Sequence, residues 1–129
     1  MKKFILTVGF TVLWSAGVAQ AETLGGTWLT GPDKKGQVAH IVVKPCGAAF
    51  CGKVAKTFNK AGKLIKGPND GKRVLWDMKT AKANVYEGKM LLPLYGKTIG
   101  GKLTIAGKGL TVRGCLGPIC QSQKWTRVN

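Results

Sequence analysis

Glycine is spread along the whole chain, 19 residues in 129, and it cuts the apolar residues into short runs rich in β-branched and aromatic side chains. Short runs bounded by turn formers favour strands over helices. Eight strands are predicted, over Gly26–Thr30, Gln37–Lys44, Phe50–Phe58, Lys72–Met78, Tyr86–Leu92, Lys97–Ala106, Leu110–Leu116 and Gln121–Val128. The connectors carry turn chemistry: Gly31-Pro32-Asp33, Gly67-Pro68-Asn69-Asp70-Gly71 and Gly107-Lys108-Gly109. Alternation places Ala39, Ile41 and Val43 on one face of their strand and Val38, His40 and Val42 on the other. Leu103 pairs with Ile105 on another face, and Leu110 with Val112. Lys79–Asn84 is read as a helical turn. The fold class expected is all-β, a small eight-stranded antiparallel up-and-down barrel, because closure removes exposed strand edges. An open sandwich is the alternative.

The first 21 residues have the form of a removable export signal. Met1-Lys2-Lys3 is positive, Phe4 to Val18 is uncharged and mostly apolar, and Ala19-Gln20-Ala21 is a small-x-small cleavage site. A mature chain of residues 22–129 is expected, one domain, with no transmembrane segment in it. A periplasmic or secreted location is expected.

Export makes disulfides favourable. The four cysteines form two pairs of equal spacing, Cys46 with Cys51 and Cys115 with Cys120, and each pair encloses four residues that include a turn former. Cysteines facing each other across a hairpin lie at the separation a disulfide needs. The pairing 46–51 and 115–120 is therefore favoured among three connectivities. A four-cysteine zinc site usually has tighter spacing and a cytosolic home, so no metal site is expected.

Removing Lys2 and Lys3 with the leader leaves 19 basic residues against five acids, a net charge of +14. The lysines are scattered, as on a solvated outer face that protects strand edges. Such charge also attracts anionic envelope lipid or polysaccharide. Nucleic acid is disfavoured by export and by the rarity of arginine.

Catalytic chemistry finds little support. His40 is the lone histidine and has no second ligand. Asp70 and Asp77 are the closest acids, but Asp70 sits in a turn where its carboxylate suits backbone hydrogen bonds. Ser122 is the only serine after the leader and lacks an evident base. No phosphate-binding glycine loop occurs. No catalytic residue and no cofactor is expected.

Gly26-Thr27-Trp28 opens the first strand, and Trp125-Thr126-Arg127 closes the last. This pairing resembles the lipocalins, in which the arginine lies across the tryptophan and seals one end. Most of the chain also resembles a family of exported bacterial proteins known as domain of unknown function 2147. The matching stretches are Gly26–Leu29, Pro45-Cys46 with Cys51–Val54, Leu110–Cys115 and Gln123–Arg127, with looser matches over Gly71–Met78 and Gly88–Thr98. Where that family tends to show Tyr-Asp-Pro, this chain reads Leu91-Leu92-Pro93 and lacks the acid. The resemblance implies a lipocalin-like barrel closed by Trp28 and Arg127, and no established activity.

The function expected is an exported, non-enzymatic binding module. Its partner is either a small apolar molecule in the barrel, with Trp76 and Tyr86 as walls, or anionic envelope lipid or polysaccharide on the basic surface. The alternatives are a cell-envelope enzyme acting on polysaccharide through Asp70 or Asp77, and an inhibitor or scaffold that binds another protein. The oligomeric state is not readable from the sequence.

Overall fold

The structure, a computed structural model, describes Gly9 and residues 23–129. The export signal expected at the N-terminus otherwise lies outside the described residues. Nine strands are seen among the described residues: β1 Gly26–Leu29, β2 Val38–Cys46, β3 Ala49–Phe58, β4 Leu64–Ile65, β5 Arg73–Lys82, β6 Val85–Leu92, β7 Lys97–Ala106, β8 Gly109–Leu116 and β9 Ile119–Arg127. Each long strand pairs antiparallel with its neighbour in sequence, and β1 pairs with both β2 and β9. The eight long strands thereby close into a lipocalin-like barrel. The two-residue β4 is the strand the sequence did not suggest; it hydrogen-bonds to β3 at Thr57 and Phe58.

The up-and-down path alternates its connections between the two ends. The turns at Gly47-Ala48, Ala83-Asn84 and Gly107-Lys108 lie at one end with both termini of the barrel. The connections 30–37, 59–72, 93–96 and 117–118 lie at the other. The first is the closed end of the barrel and the second the open end.

One expectation about local structure is corrected. Lys79–Asn84 is not helical: β5 runs on to Lys82, and Thr80 pairs with Tyr86 in the ladder to β6. The turn follows, with Asn84 at φ 62°, a left-handed position that asparagine tolerates. Ladder pairing here overrides the modest helical preference of Lys and Ala. The alternation expected along β2 holds, with Ile41 and Val43 in the core and Ala39 packed against it; the bulge in its ladder to β3 lies on β3, where Ala55 is the extra residue between Val54 and Lys56. A bulge shifts the facing of every residue beyond it.

The core runs through the barrel. Leu24, Trp28, Leu75, Met78, Leu103 and Leu110 are its largest fully buried side chains. Burying one such side chain contributes about 1.5–3 kcal/mol. Gly88, Gly101 and Gly114 lie opposite one another across β6, β7 and β8. A Cβ at Gly101 would fall 2.9 Å from the Met90 sulfur. The missing side chain leaves room for Met90 to lie across this part of the wall.

Candidate functional site

The closed end is filled by side chains. The segment before β1 crosses it, and the Trp28 indole N–H donates to the Leu24 carbonyl at 2.9 Å with both residues fully buried. Trp28 and Arg127 face each other in the β1–β9 register, and the Arg127 guanidinium sits 4.2 Å from the Trp28 ring centroid. The same guanidinium donates to the carbonyls of Gly25 at 2.9 Å and Thr23 at 2.6 Å. Gly26 makes this possible. Its φ is +133°, and a Cβ there would meet the Arg127 Nη1 and the Asn129 carbonyl oxygen. A side chain would displace the cation that covers the tryptophan. Phe50 and Tyr86 meet edge to face at 5.7 Å, and Tyr86 is itself buried.

The open half holds a cavity of about 920 Å³. Its apolar wall comes from Ile41 on β2, Val54 on β3, Val74 and Leu75 on β5, Met90 on β6 and Trp125 on β9. The β1–β2 connection contributes Lys34 and Lys35 to the rim, and the β3–β5 connection contributes Lys72. The site is thus greasy within and basic at its mouth.

Short-range hydrogen bonds shape that mouth. One carboxylate oxygen of Asp33 accepts from the backbone N–H of Lys35 at 2.8 Å and of Gln37 at 2.9 Å, which folds the β1–β2 connection into a tight turn. The Trp125 indole donates to the Gln123 side-chain oxygen at 2.6 Å, and the Gln123 amide donates to the Gly31 carbonyl at 3.3 Å. This relay ties β9 to the same connection. Across the mouth, buried Thr57 donates its hydroxyl to Asp70 at 2.6 Å, and Asp70 also accepts from the Gly67 N–H at 2.9 Å. The Thr57 hydroxyl and then the Gly67 amide hold the Asp70 carboxyl below the usual carboxylate range.

Among the described residues, neither Trp76 nor Tyr86 lies in the cavity wall. Strand β5 shifts register against both β3 and β6, so Val74, Leu75 and Met78 are all buried while Trp76 is only half-buried. Trp76 instead takes the Arg73 guanidinium over its ring at 4.7 Å. Tyr86 follows the Ala83-Asn84 turn, so it packs at the closed end, away from the mouth.

The disulfides divide between the ends. Cys46–Cys51 spans the β2–β3 hairpin at the closed end, and Cys115–Cys120 spans the β8–β9 hairpin at the open end, with Cα separations of 5.7 and 4.0 Å. The other sequence candidates are dispersed. His40 packs against Phe58, the rings tilted at 56° with centroids 4.9 Å apart. Asp77 is exposed at the β5 irregularity, and Ser122 is exposed opposite Arg113. No group of three metal-ligating side chains occurs among the described residues. No helix among them is long and apolar enough to cross a membrane.

Several wall residues left a trace in the sequence. Ala39 and Ile41 belong to an alternating face, and Trp125 belongs to the terminal motif. Leu91-Leu92-Pro93-Leu94-Tyr95 is an apolar run where a turn would normally be polar, and Leu91, Leu92, Pro93 and Leu94 border the cavity.

A closed antiparallel barrel with one end plugged and a cavity at the other defines a lipocalin-like architecture. The chain belongs to the family described as uncharacterized proteins conserved in bacteria, domain of unknown function 2147, which it matches over residues 26–127. Its fold is similar to that of Helicobacter pylori protein HP1028, described as belonging to the lipocalin family. The TM-score is 0.66 at 15% identity, covering 83% of this chain and 84% of that one. No curated protein matches the sequence.

Proposed function

We propose that this protein is an exported, non-enzymatic binding module that takes a small apolar molecule into the open half of its barrel. The observation that carries this reading is the cavity of about 920 Å³, walled by aliphatic side chains and one tryptophan. Ligand sites for small molecules are mostly apolar clefts of roughly 300–1,000 Å³ with a few placed polar groups. Here the placed groups are lysines at the rim, which suit a ligand with an acidic head and an apolar body. The two disulfides suit an oxidising compartment such as the periplasm. The binding reading is also supported by the acids: Asp70 is held by Thr57 and Gly67 in the β3–β5 connection, and Asp77 lies along β5 outside the cavity lining.

A fluorescent long-chain fatty acid tests the proposal. Binding should quench Trp125 emission, which lines the cavity, more than that of Trp28 behind the closed end. Ala39→Phe projects a ring into the same space and should weaken the probe roughly tenfold or more, while the barrel melts nearly as before. Lost packing space excludes ligand directly, whereas an open cavity accepts the added volume with little strain. Unchanged probe affinity in Ala39→Phe would remove the cavity as the binding site.

A further inference from the structure

We infer that the open end of the barrel docks on a lipid surface carrying anionic headgroups, with its connection tips inserted among the acyl chains. Of the large apolar side chains that stand exposed among the described residues, Leu64, Leu94, Tyr95, Leu116 and Ile119 all belong to the open end, and only Val128 belongs to the closed end. Leu94 and Ile119 are 76% and 66% exposed, values at which a monomer in water gains nothing from them. The five stand on or beside three different connections around one mouth: β3–β5, β6–β7 and β8–β9.

Lysines outnumber acids around them. Lys34, Lys35, Lys60, Lys63, Lys66 and Lys97 are exposed on the same end. There are two acids there: Asp70 accepts hydrogen bonds on both carboxylate oxygens, and one oxygen of Asp33 accepts two backbone N–H groups. Protein–protein interfaces are depleted in lysine at their centres. A lysine ring with aliphatic and tyrosyl tips instead matches the boundary of a bilayer. There the tips enter the headgroup layer, tyrosine sits at the interface, and the lysine stems lie along apolar surface with their ammonium groups on phosphate. The cavity opens at this end, so docking sets its mouth against the acyl chains. The inference rests on the cavity reading only for that last step; docking itself needs the tips and lysines alone.

The test uses the mature chain with both disulfides formed. Its binding is measured to vesicles of phosphatidylcholine, with and without phosphatidylglycerol. The anionic vesicles should bind and the neutral ones should not. L94S/Y95S/I119S should weaken binding roughly tenfold or more, since it removes three apolar insertions. K34Q/K35Q/K97Q should weaken it on the order of a hundredfold, at about fivefold per lysine near an anionic surface. K44Q/K82Q/K108Q makes the same charge change away from the mouth and should cost no more than roughly threefold, because salt screens distant charges. These positions are exposed, so the barrel should fold in every variant, which circular dichroism checks. Equal losses from the two lysine sets would overturn the inference in favour of unoriented attraction. An unchanged tip variant would overturn insertion. A concentration-dependent dimer that the tip variant returns to monomer would overturn it in favour of a second copy covering the mouth. Ala39→Phe separates the two readings: it should lose the fatty-acid probe and keep the vesicles.

Discussion

Trp28 and Trp125 lie on the two strands of the same seam and do different things. Trp28 is fully buried, with Leu24 accepting its N–H and Arg127 lying on its face. Trp125 is 6% exposed, yet it borders an open cavity and spends its N–H on Gln123. The two residues belong to the same pair of terminal motifs. What separates them is where the chain ends pass. Both termini of the barrel cross the closed end and add Leu24, the carbonyls of Thr23 and Gly25, and Arg127 to the plug. The open end has only loops, and their hydrogen bonds hold the loop backbone without filling the middle. In a small barrel, a plug needs chain to spare at one end, and the end without it becomes a site.

The largest expected effect breaks the plug. Trp28→Ala should cost about 3–5 kcal/mol, the usual loss for a large aromatic in a core, and urea denaturation would measure it. A loss under about 1 kcal/mol would show that the closed end is not the stable one. Reducing either disulfide should cost ~2 kcal/mol by the chain-entropy model, since each closes a short loop. Separate Cys-to-Ser pairs would show whether the 115–120 bridge at the open end contributes as much as 46–51. Arg127→Lys should cost about 1–2 kcal/mol, because lysine keeps the charge but loses the flat face over Trp28 and one of the two carbonyl bonds. Thermal melts of the two proteins side by side would test this.

The smallest effect concerns the mouth. Asp70 has its folded pKa below its ordinary value, so its contribution is present above about pH 4 and is lost as pH falls through the folded value. Asp70→Asn should therefore lower the melting temperature slightly at pH 7, and the gap should close in acid. A gap that stayed constant down to strong acid would mean that the Thr57–Asp70 bond does not depend on the carboxylate.

Much of the fold was readable from local signals. The Gly-Pro-Asn-Asp-Gly turn, the two cysteine loops and the alternation in β7 and β8 all describe neighbours in sequence, so propensity and spacing suffice. Lys79–Asn84 shows the limit: its composition tolerates a helix, and only the partner strand β6 makes it extended. Trp76 shows another. Its facing depends on register shifts in β5 that no residue within the strand announces.

The sequence by itself determined that the chain is all-β, where its hairpins turn, which cysteines could face each other, and that a tryptophan and an arginine mark the two strands of the seam. The tertiary structure alone decided which end is plugged, that Val54, Leu75, Met90 and Trp125 share one cavity, and that five exposed apolar side chains gather with lysines at its mouth. The physical reason is parity and path. A bulge of one residue reverses which side chains face inward, and an up-and-down barrel brings connections far apart in sequence to the same end only once its first and last strands have paired.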